Sequence, residues 1–141
     1  MAKNIAEFER QHSAYDFSGM FKPELDFKAD LVVVAIGENV PELSTDDSKA
    51  VFEKAFGDLL AEIAKHGKPI ILVRGCFWSN PTKDDAMRRA TEVAGAQWVE
   101  VGELGKDEQN FDRSERNYQH AGVSGHPGDK GMDAIAEAMW K

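Results

Sequence analysis

Hydrophobic residues occur along this chain in short continuous runs that are separated by amphipathic segments. The clearest run covers residues 31–36 and is rich in β-branched side chains. A run without polar alternation is typical of a strand buried on both faces of a parallel sheet. Shorter apolar runs at 70–73, which can extend to residue 77, and at 97–101 predict two further strands.

The segments between these runs have the periodicity of helices. Residues 44–47 form a polar turn rich in N-cap residues, and a helix is predicted to follow it and to end near His66 and Gly67. The apolar positions of this helix fall on one face: Val51, Phe52, Ala55, Phe56, Leu59, Leu60 and Ile63. Helices are also predicted at three other places: residues 4–12, 81–94 and 129–140.

Strands that alternate with helices predict right-handed βαβ units, and therefore an α/β fold whose parallel sheet is covered by helices on both sides. Ligands of such sheets bind beyond the carboxyl ends of the strands. Three segments follow the predicted strands there: residues 37–41, 77–81 and 102–126. The last is polar and irregular as far as Gly125, and a connection of that length is typical of a functional or flexible loop.

Composition narrows the classes of partner and site. With 17 Lys and Arg against 25 Asp and Glu, the net charge of -8 disfavours nucleic acid and anionic membranes as main partners. The 141 residues suit one domain, no apolar run approaches the roughly 20 residues of a membrane helix, and the polar start is unlike a signal peptide. The single cysteine, Cys76, excludes an internal disulfide and a Cys-rich zinc site, and is interpreted as a buried thiol at a strand end.

Asn39 and His126 are the candidate catalytic residues. Asn39 follows the first predicted strand, and its amide is a neutral donor suited to stabilising an oxyanion, although a turn residue is the commoner role of such an Asn. His126 precedes the last predicted helix in a glycine-rich segment, where an imidazole can serve as a general base or simply lie on the surface. His120 is interpreted as a loop residue, because nothing nearby completes a metal-ligand pattern.

These two segments together resemble the SGNH, or GDSL-type, family of serine ester hydrolases. Residues 126–132, His-Pro-Gly-Asp-Lys-Gly-Met, look like the block that supplies the family's catalytic His before the final helix. Residues 37–39, Gly-Glu-Asn, look like the block whose Asn donates to the oxyanion. Residues 74–78, Arg-Gly-Cys-Phe-Trp, are similar to a pattern seen at a strand end in some members. The resemblance spans about residues 30–140, most of the chain.

The resemblance implies a three-layer, flavodoxin-like α/β/α domain that hydrolyses a small-molecule or carbohydrate ester, such as an acetyl ester, through a serine acyl-enzyme. It implies that His126 acts as general base and then as general acid, and that Asn39 stabilises the tetrahedral oxyanion. No metal or organic cofactor is required. The candidate pocket residues are Gly37, Glu38, Trp78 and Ser79.

The chain departs from the family pattern at the nucleophile. It has no buried strand followed by Gly-x-Ser, and Ser13 and Ser18 stand in contexts typical of a linker. Ser79 is the best substitute, although a role in the pocket wall is favoured. Ser124 is only two residues from the His, a spacing that rarely aligns a hydroxyl with the imidazole ring.

A second departure concerns the carboxylate that orients the imidazole. Val123 stands where the family usually carries an Asp, three residues before the His. Either a Ser–His dyad operates, or a carboxylate comes from elsewhere. Asp112 and Glu115 of the long loop are the candidates, although both are more simply interpreted as solvated loop charges.

The missing nucleophile segment also has a structural consequence. In the family a strand lies beside the one that matches residues 31–36, so without it the run from Leu31 to Ile36 becomes an open sheet edge. This predicts self-association through that edge, or pairing with a partner segment. The chain is therefore interpreted as a single, partial ester hydrolase domain that is inactive for lack of its Ser. The alternative is a non-catalytic α/β binding module.

Overall fold

A three-stranded parallel sheet forms the centre of the computed structural model, which describes residues 2–16, 22–118 and 120–141. The strands are β1 (Leu31–Val34), β2 (Ile70–Arg74) and β3 (Gln97–Val99), in that order across the sheet. All three predicted strands are confirmed. β1 and β3 end earlier than their apolar runs because the pairing with β2 stops at Val34 and Val99. The fold is thus α/β with a parallel sheet.

The helices in the described part of the chain are α1 (Ala2–Gln11), α2 (Lys22–Asp26), α3 (Asp46–Lys65), α4 (Pro81–Val93), α5 (Ala121–Ser124) and α6 (Asp129–Met139). The four predicted helices are confirmed as α1, α3, α4 and α6. Helix α3 begins at the predicted polar turn because Thr45 and Ser48 each accept, through the hydroxyl, a hydrogen bond from the other's N–H. None of the described helices combines the length and apolar character needed to cross a membrane.

The main core lies between one face of the sheet and helices α3 and α4. Phe52 and Phe56 of α3 and Met87 of α4 are fully buried in the same cluster as Val34 and Val73 of the strands. Both helices contribute to this one cluster, so they lie on the same face. Because burying one such side chain contributes about 1.5–3 kcal/mol, this layer is a main source of stability.

The opposite face of the sheet is covered mainly near β3. There Val99 packs on a second cluster that contains Ile135 of α6. Near β1, by contrast, Leu31 and Val33 are each 46% exposed, and Ile70, which pairs with Leu31, is also exposed. The prediction of a strand buried on both faces is therefore wrong for β1, because the helices of the described ranges leave this part of the second face open.

In the described part of the chain β1 is an open edge, as predicted, since it pairs with β2 alone. The Ile70 N–H donates to the Asp30 carbonyl (2.9 Å), so the backbone groups of Asp30 point toward β2. Because the direction of the N–H and C=O groups alternates from residue to residue along a strand, those of Leu31 and Val33 point away from β2. A groove of about 720 Å³ runs along this edge. Apart from Glu24, its lining is apolar: Ile5, Leu25, Phe27, Ala29, residues 31–36, Leu59 and Ile63.

The long segment after β3 is irregular, as predicted, and folds through three 3-10 turns before α5. It contacts the start of α6 closely. The Gly128 N–H donates to the Asn110 carbonyl (2.9 Å), and Phe111 forms an isolated antiparallel bridge with Pro127. These contacts hold the residues around His126 against the rest of the domain.

Candidate active site at the carboxyl edge of the sheet

The turns after β1 and β2 meet at the carboxyl edge of the sheet, where the sequence predicts a site. The Glu38 carboxylate joins them, because it accepts hydrogen bonds from the Phe77 N–H (2.8 Å) and from Arg74 Nη2 (3.2 Å). Asn80 Nδ2 adds a second link by donating to the Glu42 carboxylate (3.2 Å). Glu38 therefore ties the two turns together.

Gly37 and Asn39 contact a carboxylate that the sequence pattern did not indicate. Glu9 of α1 is only 2% exposed, and its Oε1 accepts hydrogen bonds from the Gly37 N–H (2.8 Å) and the Asn39 N–H (3.4 Å). Its Oε2 accepts a third from Asn39 Nδ2 (3.1 Å). Three donors thus converge on one carboxylate at the end of β1. No sequence signal relates Glu9 to a turn 30 residues later, because the spacing of an amphipathic helix encodes only its own apolar face.

Gly37 is required by the shape of this turn. Its backbone φ angle is +121°, a value that residues with an L side chain rarely adopt. A Cβ at this position would also lie 2.8 Å from Met87 Sδ and 3.3 Å from Cys76 Sγ. Only glycine therefore allows the backbone to present the N–H to Glu9 while packing against the core.

His126 lies at the rim, next to Trp78. The centroids of the two rings are 5.1 Å apart at an interplanar angle of 85°, and both side chains are exposed. The His126 N–H donates to the Val123 carbonyl (3.1 Å), and its carbonyl accepts from the Asp112 N–H (2.9 Å). The structure thus brings two of the predicted site residues together, with an exposed imidazole against an aromatic wall.

The loop that carries Trp78 is anchored by Asp84 at the start of α4. Asp84 is 4% exposed, and it accepts hydrogen bonds from the Cys76 N–H through Oδ1 and from the Asn80 N–H through Oδ2, each at 2.9 Å. Ser79 Oγ lies 3.5 Å from Asp84 Oδ2. Asp84 lies in the first turn of this helix, a position where a carboxylate commonly serves only to complement the helix dipole. Its role as an anchor depends on how the loop folds back over the helix.

In the described ranges, no serine is hydrogen-bonded to the His126 ring. Ser79 is directed to Asp84, and Ser124 Oγ donates to the Ala121 carbonyl (2.7 Å). Ser13 lies in a 3-10 turn near the N terminus, and Ser18 lies outside the described residues. The described residues therefore do not assemble a serine nucleophile with the imidazole.

The two carboxylates considered as partners of the imidazole make other contacts. Glu115 accepts hydrogen bonds from the N–H groups of residues 129 and 130 (3.2 and 2.8 Å) and so caps α6. Its interpretation as a solvated loop charge is wrong for that reason. Asp112 accepts a hydrogen bond from the Tyr118 hydroxyl, and this bond raises the pKa of the phenol. Among the described residues, the His126 ring has no hydrogen-bonded carboxylate.

Cys76 is a buried side chain and His120 is a helix cap, so both have structural roles. Burial raises the pKa of the Cys76 thiol, and the neighbouring carboxylates of Glu38 and Asp84 raise it further. Cys76 is thus a buried, protonated thiol, as the sequence predicts. His120 Nδ1 accepts from the Gly122 N–H (3.2 Å) and caps α5. Within the described ranges, no group of three or more His, Cys, Asp or Glu side chains is placed to hold a metal ion.

Comparison with known proteins yields no match. No family model matches the chain, and no curated protein or solved structure is significantly similar to it. The chemistry of this edge is therefore inferred from its own residues.

Proposed function

We propose that this chain is part of a serine ester hydrolase of the SGNH type, whose complete domain is a three-layer, flavodoxin-like α/β/α sandwich. The observation that carries this proposal is the convergence of two N–H groups and one side-chain amide, from Gly37 and Asn39, on the Glu9 carboxylate. Converging donors at the end of a parallel strand suit an oxyanion. The substrate class is a small-molecule or carbohydrate ester, and no metal or organic cofactor takes part.

In the proposed reaction, His126 removes the proton of a serine hydroxyl as the serine oxygen attacks the ester carbonyl. The tetrahedral oxyanion accepts hydrogen bonds from the Gly37 N–H and Asn39 Nδ2, and it collapses as His126 gives the proton to the departing alcohol. Water then attacks the acyl-serine, again with His126 as base, and releases the acid and the free serine. Trp78, packed edge-on to the imidazole, limits the orientations of the ring.

The nucleophile is proposed to follow a further strand that is not among the residues of this chain. The carboxyl ends of parallel strands meet at one edge of a sheet, so a strand parallel to β1 would end beside Gly37 and Asn39. The groove along β1 has the apolar lining that such a strand needs. Within the chain, Ser79 is the substitute.

Hydrolysis of p-nitrophenyl acetate tests the role of His126 on the chain itself. Without a nucleophilic serine the chain cannot form an acyl-enzyme, but we expect slow hydrolysis that falls at least about tenfold in His126→Ala, because an exposed imidazole can act as a general base on water. His120→Ala is the matched control and should leave the rate unchanged, since that imidazole caps α5. Equal rates in all three proteins would contradict the proposal.

Intact mass after fluorophosphonate treatment locates the nucleophile. We expect no stoichiometric adduct, because no described serine is bonded to His126. An adduct that disappears in Ser79→Ala would instead assign the nucleophile to Ser79. The absence of both an adduct and His126-dependent hydrolysis would favour the second candidate, a non-catalytic α/β binding module. The observation that favours this candidate is that, among the described residues, no serine is hydrogen-bonded to the His126 ring.

Where that further strand is absent and the edge is free, we also propose that two copies of the chain pair through β1. A two-fold axis places the same edge strand antiparallel to itself and pairs the backbone groups of Leu31 and Val33. The run at 31–36 carries no charge, so the two edges meet without direct repulsion although the chain is acidic. Pairing would also remove part of the exposed apolar surface of β1 from water.

Light scattering after size exclusion tests this pairing. We expect a dimer for the wild type and a monomer for Val33→Lys, because a lysine on an edge strand opposes strand addition. Val51→Lys is the matched control: Val51 is 43% exposed, close to the 46% of Val33, but lies on α3, so the dimer should persist. A wild-type monomer at the highest soluble concentration would contradict the proposal.

A further inference from the structure

We infer that the turn at residues 37–39 is a carboxylate-binding site, that Glu9 occupies it in this structure, and that a free short-chain carboxylate binds there when the Glu9 side chain is removed. The inference rests on the proposed function only where it equates this free carboxylate with the acid product of ester cleavage. The binding itself follows from the geometry of the turn.

The donors are arranged for a group with two oxygens. The Gly37 and Asn39 N–H groups reach one Glu9 oxygen at 2.8 and 3.4 Å, and Asn39 Nδ2 reaches the other at 3.1 Å. Among the described residues, no cation is paired with Glu9, so neutral donors alone satisfy a nearly buried charge. Burying an ion without such partners is costly, and the turn therefore provides a preformed receptor for a small anion.

Removal of the Glu9 carboxylate should leave this receptor in place. The Gly37 carbonyl accepts a hydrogen bond from the Val40 N–H (3.2 Å), and the space beside Gly37 is closed by Met87 and Cys76, so neither constraint involves Glu9. Helix α1 has a separate anchor in Phe8, which is fully buried and belongs to the same core cluster as Val34 and Phe52. In Glu9→Ala the helix thus stays docked, and a space the size of an acetate carboxylate faces three unsatisfied donors.

The same contact predicts competition in the wild type. Glu9 is tethered beside the donors, so it acts as a ligand of high local concentration, and an external carboxylate must displace it. In the proposed hydrolase, the acid product would use the donors that hold the oxyanion. Glu9 would therefore compete with the acid product and favour its release. For the same reason, the Glu9 side chain would have to move before an ester carbonyl could reach Asn39.

The test is an acetate titration of Glu9→Ala at constant ionic strength, with sodium chloride as the balancing salt. We expect the Tm to rise by about 5 °C when acetate reaches ten times its Kd and to continue rising with the logarithm of the acetate concentration. Saturable shifts of the Gly37 and Asn39 amide signals in ¹H–¹⁵N spectra should accompany it. Wild type and Glu7→Ala, a change on the same helix, should show neither effect, because Glu9 still fills the site.

Glu9→Gln keeps the site filled with a neutral side chain of the same size and should also fail to bind acetate. If Glu9→Ala does not fold without an anion, the titration becomes a refolding titration, in which acetate but not chloride restores the native spectrum. A folded Glu9→Ala without saturable amide shifts in acetate would overturn the inference, as would equal responses in Glu9→Ala and wild type. Because this readout requires no ester cleavage, it can fail or succeed independently of the proposed hydrolase activity.

Discussion

Replacing Asp84 with alanine lowers the free energy of unfolding by about 4 kcal/mol, because it leaves buried donors without an acceptor. The Asp84 oxygens accept hydrogen bonds from the Cys76 N–H and the Asn80 N–H, both at 2.9 Å, and the side chain is almost completely buried. A hydrogen bond to a charged group contributes about 1.5–3 kcal/mol, and two are lost here. Equilibrium unfolding in urea measures the change.

Asp85→Ala is the matched control for this prediction. Asp85 is the next residue of the same helix, but its side chain is 56% exposed, so its loss should change the free energy of unfolding by no more than about 0.5 kcal/mol. Asp84→Asn keeps one acceptor oxygen and should fall between the two alanine variants. Equal losses in Asp84→Ala and Asp85→Ala would show that the Asp84 contacts do not hold the loop that carries Trp78.

Gly131→Ala is expected to destabilise the chain by about 3 kcal/mol, because the added methyl group has no space. A Cβ at Gly131 would lie 2.1 Å from the Asn110 carbonyl oxygen and 3.1 Å from Pro127 Cβ. The first neighbour is backbone, which cannot rotate away as a side chain can. Helix α6 would have to move from the turn at residues 108–110, and the strain would reach His126, which directly precedes Pro127.

Gly57→Ala is the control for a glycine-to-alanine change in a helix. Nothing lies within 4 Å of a Cβ at Gly57, which is inside α3. Alanine has the higher helix propensity, so this variant should be more stable than the wild type by about 1 kcal/mol. Thermal unfolding of the two variants should therefore move in opposite directions. A Gly131→Ala variant as stable as the wild type would refute the close approach of α6 to Asn110.

Much of the fold was predictable because its signals are local. An apolar run without polar interruption predicts a strand, and helical spacing of apolar residues predicts a helix. Both predictions depend only on neighbouring residues and not on the rest of the sequence. The Thr45 cap and the start of α6 at Asp129 were readable in this way. Gly131 stood in a segment that resembles a family block, but the reason for the glycine, its contact with Asn110, appeared only in three dimensions.

The candidate site was predictable in position but not in its contacts. Asn39 and His126 follow from their places after a strand and before a helix. The carboxylate at Asn39 was not predictable, because Glu9 reaches the turn through the packing of α1. Likewise, Glu115 looked like one loop charge among several, although it caps a helix 14 residues later.

The sequence by itself determined the order and type of the three strands and the four longer helices, the parallel α/β class, and the edge of the sheet where Asn39 and His126 stand. These depend on backbone preference and on apolar periodicity, which act over a few neighbouring residues. Only the tertiary structure decided which groups meet. Glu9 contacts the turn at 37–39, and Trp78 packs against the His126 ring, whereas Leu31 and Val33 lie on a face of the sheet that is left uncovered. Such contacts join residues distant in the chain. Their energies depend on burial and hydrogen-bond geometry, which no local spacing records.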